Sequence, residues 1–359
     1  MGLSIKWDIT FRCNLFCEHC LNGKWLSNST RELCVQDVEK IVDNISEVVN
    51  IDYINFLGGE PLFKSNFFEI TDLLAEKKIH FGFNTNGLML NENNIKRLLS
   101  NQYLHSILFS IEGSNAEIND TMRGKNVFNS ILNSINKINR YKETYEECKT
   151  IISVNCVLTT INYDDICNLL LFCENNNIDT LNVLAYHEIG NAEGKKLSVG
   201  YDKGLHLLKD VSGFIRMNSI KTKFVPKFVR ALAIDLLSAE DNTSLEHPVH
   251  SCGASVNFLY LNNVGEAYSC NIERDNFPEM AVSLLDTRFK DIWFSERFDS
   301  LFSKIHSKDT YGELNPCTKC KYFLETCFPC VFDIVKNKQR QMAECVYYIR
   351  RADAAGVRL

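Results

Sequence analysis

Short apolar strands alternate with amphipathic helices over the first half of the chain, and this alternation restricts the fold more than any other feature. Strands are predicted at 5–10, 53–57, 80–83, 106–111, 151–158 and 180–185, and helices at 35–49, 67–77, 92–100, 127–139 and 165–175. Consecutive parallel strands are joined by crossover helices of right-handed sense. The pattern therefore predicts an α/β fold built as a partial (β/α)6 TIM-like barrel, in which the reacting groups lie at the carboxyl ends of the strands.

A cysteine-rich loop follows the first predicted strand directly. Cys13, Cys17 and Cys20 have C-x3-C-x2-C spacing, so one short turn offers three thiolates. A four-iron cluster needs one ligand per iron, and three thiolates leave one iron open to another ligand. We therefore expect a cluster that takes part in chemistry. The alternative is a zinc ion held by these cysteines and His19, although His19 lies between two of them, a poor position for closing a tetrahedron.

A second group of cysteines occupies the last part of the chain. It comprises Cys252, Cys270, Cys317, Cys320, Cys327, Cys330 and Cys345. The four from Cys317 to Cys330 have the C-x2-C…C-x2-C spacing of a tetrahedral zinc ribbon. The further cysteines, together with Gly265 ahead of Cys270, favour iron–sulfur ligation instead.

Composition restricts the compartment and the partners. The chain has 15 cysteines, and no apolar segment follows Met1 as it would in a signal peptide. Cysteines without a secretion signal indicate metal ligation in a reducing cytoplasm. The net charge of -6 gives no electrostatic reason to expect nucleic acid or an anionic membrane as a partner. No stretch approaches the roughly 20 apolar residues of a membrane span. We therefore predict a cytoplasmic protein.

Polar turns follow the next predicted strands. Gly58-Gly59-Glu60-Pro61 ends the second strand; its glycines allow the backbone to approach a ligand closely, and Glu60 offers an acceptor suited to an ammonium group. Asn84 and Thr85 end the third strand, and Ser110 and Glu112 end the fourth. Because the carboxyl ends of parallel strands meet at one edge of the barrel, these residues are expected to share a site with the cysteine loop.

The cysteine loop and the Gly-Gly-Glu-Pro turn together resemble the motifs of the radical S-adenosylmethionine (SAM) superfamily, and the resemblance covers residues 5–192. It implies that SAM chelates the open iron and is cleaved by one electron to a 5′-deoxyadenosyl radical, which abstracts hydrogen from an unactivated carbon. The implied SAM contacts are Gly58, Gly59 and Glu60 at the amine, Asn84 or Thr85 and Ser110 along the ribose and methionyl side, and Arg123 at the SAM carboxylate or at the substrate. Asn155 suits a SAM contact and a core hydrogen bond equally.

The C-terminal cysteines resemble the SPASM extension of radical SAM enzymes, which carries two auxiliary clusters. With the SAM cluster, this implies three [4Fe-4S] clusters. The implied ligands are Cys252, Cys270 and Cys330 for auxiliary cluster I, and Cys317, Cys320, Cys327 and Cys345 for auxiliary cluster II. The central spacing is x2, x6, x2, whereas the family usually has x2, x5, x3, so one cysteine is displaced by a position. Cluster I is one thiolate short, and its fourth iron is open, takes a non-cysteine ligand or binds the substrate.

These motifs divide the chain into four segments. We predict a radical SAM partial barrel at 1–192, a helical bridge at 193–250, a SPASM auxiliary-cluster domain at 251–347 and a tail at 348–359. In the bridge, helices are predicted at 201–215 and 225–237 and a loop at 241–250.

The resemblance to SPASM enzymes implies action on a peptide. We predict a radical SAM oxidoreductase that matures a ribosomally made precursor peptide, most simply by an intramolecular side-chain cross-link of the C–C (cyclophane), ether or thioether kind. Epimerisation, decarboxylation and dehydrogenation of a small molecule are alternatives. Formylglycine formation is disfavoured, because Asn271 stands where sulfatase-maturing relatives carry an aspartate.

Catalytic residues and partners follow from the same prediction. Glu112, His187 and Glu188 are candidates for proton transfer, and the sequence does not decide among them. A one-electron reductant of flavodoxin or ferredoxin type is needed. The chain starts shortly before its first predicted strand, so a separate leader-binding protein is a further expected partner; neither nucleic acid nor membrane is expected.

Overall fold

The computed structural model describes residues 2–26, 31–145, 147–229, 233–234, 252–311, 320, 322–325, 327 and 330–332. Its strands are β1 (Leu3–Thr10), β2 (Ile51–Gly58), β3 (His80–Thr85), β4 (Leu104–Ser110), β5 (Ile151–Val157), β6 (Thr180–Leu184), β7 (Lys223–Lys227), β8 (Phe258–Leu261), β9 (Glu266–Tyr268) and β10 (Val282–Ser283). They form one sheet in the order β10-β9-β8-β1-β2-β3-β4-β5-β6-β7. The strands from β8 to β7 in this order are parallel, whereas β9 and β10 pair antiparallel.

Helices cover one face of this sheet. They are α1 (Val35–Ser46), α2 (Phe67–Glu76), α3 (Glu92–Leu99), α4 (Ala116–Arg123), α5 (Val127–Thr144), α6 (Ile166–Asn175) and α7 (Tyr201–Asn218), followed by shorter helices at Asn271–Asn276, Phe289–Trp293, Glu296–His306 and Lys308–Tyr311. Helix α1 illustrates why they form: its apolar residues recur at helical spacing, and Val38, Ile41 and Ile45 are all buried. No helix in the described ranges is long and apolar enough to cross a membrane.

The two faces of the sheet differ in polarity. Side chains alternate along each strand, so Trp7, Phe56 and Phe81 point towards the helices and are completely buried. On the other face, several neighbouring side chains are polar and at least partly accessible, as Lys6 and Asn55 show. The hydrophobic core therefore lies between sheet and helices, and the inner face is left for ligands.

The predicted α/β barrel is confirmed, with small differences at the ends of its elements. The prediction of one element was wrong. The sequence predicted a helix over 225–237, but Lys223–Lys227 is strand β7, which pairs with β6. Pro226 lacks the N–H that a helix interior needs, and it is tolerated on a strand that has a neighbour on one side.

Several elements were not predicted, among them one helix and one strand that bear on the site. Helix α4 lies between β4 and α5, and strand β8 pairs in parallel with β1, with Leu259 opposite Ile5. Part of the predicted auxiliary-cluster domain thus extends the sheet of the barrel. The loop predicted at 241–250, the tail at 348–359, Cys317 and Cys345 lie outside the described residues.

Candidate active site

The cysteine loop follows β1 at the carboxyl edge of the sheet and is held there by its backbone. The amide of Asn191, in the turn after β6, donates from Nδ2 to the carbonyl of Cys17 at 3.0 Å, and its backbone N–H donates to the carbonyl of Cys20 at 3.0 Å. The Glu18 N–H donates to the carbonyl of Met122, in α4, at 2.9 Å. The sequence did not predict this role of Asn191, because the role depends on a contact between distant segments.

The three thiols of the loop are partly buried and affect one another electrostatically. Burial, with a smaller effect of the neighbouring Cys17, raises the pKa of Cys13 and of Cys20 to about 11. The Arg123 guanidinium opposes this effect, with Nη1 at 3.8 Å from the Cys17 sulfur. Thiols with such pKa values are protonated at neutral pH, and a metal cluster that binds them displaces the protons. A clustered trio beside one cation matches the donor set that an iron–sulfur cluster needs.

His19 and Arg123 are joined through Glu112. One oxygen of the Glu112 carboxylate lies 3.0 Å from His19 Nε2 and accepts from Arg123 Nη2 at 2.6 Å. The other oxygen accepts from the backbone N–H of Val157 at 2.6 Å. His19 stands at the position of the loop that is usually aromatic in the family, and here it ties the loop to the end of β4.

Glu112 is fully buried, and this bears on its candidacy as a catalytic base. Burial by itself would raise its pKa, but the charges of His19 and Arg123 and the hydrogen bonds outweigh burial and lower it to about 2. A carboxylate this acidic, with both oxygens engaged and no solvent contact, is poorly suited to accept a substrate proton. The geometry favours a positioning role for Glu112.

The Gly58-Gly59 turn packs against the start of the cysteine loop. A Cβ at Gly58, whose φ is +116°, would collide with the carbonyl of Thr10, and one at Gly59 would collide with the carbonyl of Arg12. The Gly59 N–H donates to the Thr10 carbonyl at 2.7 Å, and the Glu60 N–H donates to the Arg12 carbonyl at 2.9 Å. The sequence attributed these glycines to close approach of a ligand. In the structure they first permit the approach of two backbone segments.

Glu60 is buried behind this turn. Its carboxylate accepts from Thr85 Oγ1 at 2.8 Å, from the Asn86 N–H at 2.7 Å and from the Leu62 N–H at 3.2 Å. Burial nevertheless raises the pKa of Glu60 to about 7, although these hydrogen bonds lower it. The carboxyl is therefore poised between its two protonation states, and a cationic ligand group would bind the ionised one.

Asn86 links this turn to the cysteine loop through its side chain, which donates to Asn14 Oδ1 at 2.7 Å. Thr85 is buried and oriented towards Glu60, so it supports that carboxylate. Asn84, the other residue proposed for this position, is half-buried on the inner face and accepts from Asn55 Nδ2 at 3.3 Å. Of the two, Asn84 is the one placed to face a ligand.

Ser110 and Asn155 lie side by side across β4 and β5, and both are half-buried. They share the inner face with Asn84, as the sequence predicted. His187 and Glu188 follow β6; His187 is exposed and Glu188 is half-buried. They remain candidates for proton transfer.

A second trio of thiols lies around Cys270. Burial, with a smaller effect of Cys330 and Cys252, raises the pKa of Cys270 to about 12. The three cysteines that the resemblance assigned to auxiliary cluster I therefore lie close enough to affect one another electrostatically. Cys320 and Cys327 are half-buried, but two of their expected partners lie outside the described residues.

The arrangement of these groups bears on the zinc alternative. Among the described residues, no three His, Cys, Asp or Glu side chains surround one point as ligands of a single ion would. Zinc gathers its sulfur ligands at about 2.3 Å from one centre, whereas the thiolates of a cluster bind separate irons. His19, the possible fourth zinc ligand, is engaged by Glu112. This engagement makes His19 a poor candidate for the fourth zinc ligand.

A buried network that the sequence did not reveal connects the two cysteine-bearing regions. Arg274, in the helix that follows Cys270, donates from Nη1 to Asp8 at 2.6 Å and from Nη2 to Asn22 Oδ1 at 3.1 Å. Tyr260 of β8 donates to the same Asp8 oxygen. Asn22 lies just after Cys20 and also donates to the Gly58 carbonyl at 3.0 Å. The sequence did not predict this network, because it joins residues from distant parts of the chain.

Comparison with known proteins agrees with this geometry. Residues 7–173 match the sequence model of the family described as the Radical SAM superfamily. The chain is 25% identical over 326 residues to mycofactocin maturase MftC of Mycolicibacterium smegmatis, covering 89% of this chain and 76% of the relative. It is 24% identical over 364 residues to an AdoMet-dependent heme synthase of Oleidesulfovibrio alaskensis, covering 98% and 89% of the two chains.

A solved structure shares the fold. Streptococcus suis SuiB bound to precursor peptide SuiA superposes with a TM-score of 0.75 at 18% identity, over 94% of this chain and 74% of the other. Residues 7–173 therefore carry a radical SAM domain, and the chain shares the fold of SuiB.

Proposed function

We propose that this enzyme matures a ribosomally made precursor peptide and installs an intramolecular side-chain cross-link. One observation carries the proposal: a second trio of cysteines, around Cys270, is tied through Arg274 to the loop that holds the first trio. A cross-link removes two electrons in total, and a second cluster near the substrate can accept the electron left after hydrogen abstraction. The similarity to the mycofactocin maturase MftC and to SuiB, which was solved with its precursor peptide, supports a peptide substrate.

The residues divide the work as follows. Cys13, Cys17 and Cys20 would hold the SAM cluster, and Glu60 would bind the SAM amine. Cluster and SAM, when bound, supply the 5′-deoxyadenosyl radical. The Glu112 carboxylate fixes Arg123 beside Cys17, and the polar inner face offers hydrogen bonds to the bound molecule.

Three four-iron clusters are part of the proposal. Reconstituted enzyme should then contain about twelve irons per chain. Cys270→Ala should lose about four of them, whereas Cys34→Ala, at an exposed cysteine without ligand spacing, should lose none. An iron and sulfide assay on anaerobically prepared protein measures this. Zinc in place of iron would contradict the proposal.

The decisive experiment is a reaction with peptide. Anaerobic enzyme, SAM and a flavodoxin or ferredoxin reductant are incubated with each short peptide encoded near the gene, with and without any small leader-binding protein encoded there. We expect 5′-deoxyadenosine and a peptide that lacks two hydrogen atoms, localised to a cross-link by tandem mass spectrometry. Uptake of solvent deuterium at an α-carbon would indicate epimerisation instead, and loss of carbon dioxide would indicate decarboxylation.

A small-molecule dehydrogenase is the second candidate, because the heme synthase relative covers nearly the whole chain. That function predicts SAM cleavage that a metabolite stimulates and peptides do not.

A further inference from the structure

Lys6 is a charged residue in the middle of the central strand β1. Its neighbours Ile5 and Trp7 point into the hydrophobic core, so alternation places Lys6 on the inner face of the sheet. It lies in register with Asn55 of β2 and with Tyr260 of β8. Its ammonium group lies 5.5 Å from the centre of the Phe258 ring. Lys6 therefore projects into the space that a substrate would enter.

Lys227 approaches the same space from the last strand of the barrel. It ends β7, opposite Leu184 of β6, and its neighbour Pro226 is buried on the other side. Desolvation lowers the pKa of Lys227, and the positive charge of Lys6 lowers it further. The charge of Lys6 thus reaches Lys227 across the inner face, although the two residues come from strands far apart in the sheet.

Both side chains are solvent-accessible by area, yet the surrounding protein lowers the pKa of each. Accessibility combined with desolvation is typical of groups that line a concave space inside a protein. A charge in such a place is stabilised by a counter-charge, and an ion pair there is screened less than one on an open surface.

The described residues provide no such counter-charge. Neither lysine forms an ion pair in the described ranges. Asp8 is the carboxylate whose charge reaches Lys6, but Arg274 and Tyr260 already engage it. The charge of Cys270 also acts on Lys6 and raises its pKa. A cluster bound at Cys270 could therefore serve as the counter-charge of Lys6 in place of a substrate. For Lys227, the described residues supply neither a carboxylate nor a thiol as counter-charge.

We propose that Lys6 and Lys227 form a subsite that binds a carboxylate of the substrate, and that the substrate peptide accordingly presents an acidic residue inside the barrel. This inference rests on the proposed peptide substrate. Two ammonium groups supply donors and no acceptor, so they select a carboxylate over an amide. The amides of Asn55, Asn84 and Asn155 on the same face can bind neutral peptide groups without competing for the charge.

The test measures lysine reactivity in the reconstituted holoenzyme with SAM bound. Trinitrobenzenesulfonate labels lysines, and mass spectrometry gives the rate at each position. The probes are acetyl-Gly-Glu-Gly-amide, acetyl-Gly-Gln-Gly-amide, and acetyl-Gly-Gln-Gly with a free carboxyl terminus. We expect the glutamate peptide to slow labelling of Lys6 and Lys227 about fivefold relative to the glutamine amide, which corresponds to an ion pair of ~1 kcal/mol. Lys96, exposed on α3, is the internal control and should not change.

The three probes separate the sources of the carboxylate. Slowing by the free-acid peptide alone would indicate that the subsite takes a chain terminus, and the acidic-residue form of the proposal would be wrong. Equal rates with all three peptides would overturn the subsite. Low labelling of Lys6 that no peptide changes, with Lys227 labelled freely, would mean that Lys6 serves as counter-charge to a cluster, and would also overturn it.

Variants provide a second readout. In Lys6→Met, protection of Lys227 by the glutamate peptide should disappear, whereas Lys6→Arg should retain it because the charge remains. Loss of protection in both variants would show that the effect is structural. The result is independent of maturation: a peptide that loses two hydrogens without differential labelling removes the subsite and leaves the proposed function intact. Differential labelling without modification of any encoded peptide would support the subsite and refute the proposed function.

Discussion

Glu60 is completely buried, and its carboxyl group has a pKa close to neutral pH. Three donors surround it, yet the pKa of Glu60 is raised to about 7 because desolvation outweighs them. If it binds the SAM ammonium group, only the ionised form contributes. SAM affinity and the protonation of this one residue are then linked.

The first prediction follows from that linkage. SAM binding should weaken as the pH falls from 8 to 6, by up to about tenfold per pH unit below the pKa, because the carboxyl becomes neutral. Glu60→Gln should bind more weakly at pH 8 and lose this pH dependence. Equilibrium dialysis of reconstituted enzyme with labelled SAM measures both. Glu47→Gln, at an exposed site, should keep the dependence; an unchanged profile in Glu60→Gln would refute the assignment.

Glu112 is the opposite case at the residue scale. Its pKa is held at about 2, so its ionised form stabilises the fold above the usual glutamate pKa, and this contribution is lost as the pH falls from about 4.5 towards 2. Glu112→Gln should lower the free energy of unfolding at pH 7 by about 3–5 kcal/mol, because Arg123 is left buried without its anion.

Urea denaturation followed by circular dichroism checks this second prediction. Glu117→Gln, at an exposed position on α4, is the matched control and should change little. Between pH 4.5 and 3, the wild type should lose stability more steeply than Glu112→Gln. Equal stability of the two glutamine variants would show that the buried ion pair has no structural role.

At the scale of elements, helix α4 decides where Arg123 lies. Its first turn is capped by Asn115, whose side chain accepts from the Ile118 N–H at 3.1 Å, and its last residue is Arg123. The sequence predicted no element over this stretch, because a helix of 8 residues carries little periodic signal. The capping asparagine and the basic last residue are its local signatures.

The third prediction concerns this cap. Asn115→Ala should destabilise the protein by about 1 kcal/mol, because the Ile118 N–H loses its acceptor. Asn115→Asp keeps an oxygen in place and places a negative charge at the helix start, so it should retain wild-type stability. Differential scanning calorimetry compares the three proteins. A midpoint for Asn115→Ala equal to that of Asn115→Asp would exclude the cap as the cause.

At the scale of the whole molecule, the sheet and the Arg274 network join the two cysteine-bearing regions. Strand β8 adds to the barrel sheet beside β1, and Arg274 connects the helix after Cys270 to Asp8 and Asn22. The SAM-cluster loop and the proposed auxiliary-cluster region therefore share buried contacts. A substitution that disrupts one region should destabilise the other as well.

The fourth prediction tests this coupling. Arg274→Met should leave Asp8 buried without its ion-pair partner, at a cost of about 3–5 kcal/mol. It should also increase amide hydrogen exchange in the cysteine loop around Asn22. Arg288→Met removes an exposed pair with Asp291 and is the control, expected to change neither quantity. Unaltered exchange in the loop of Arg274→Met would show that the two regions are independent.

The sequence by itself determined the barrel, the strand ends that carry the site and the first cysteine trio. These depend on local information, namely alternation along strands, helical periodicity and cysteine spacing. The tertiary structure alone decided what surrounds those groups. His19 and Arg123 meet on Glu112, Gly58 packs against Thr10, β8 pairs with β1, and Arg274 pairs with Asp8. Each of these contacts joins residues far apart in the chain, and its energy depends on burial and on charge at short distance, which no local pattern records.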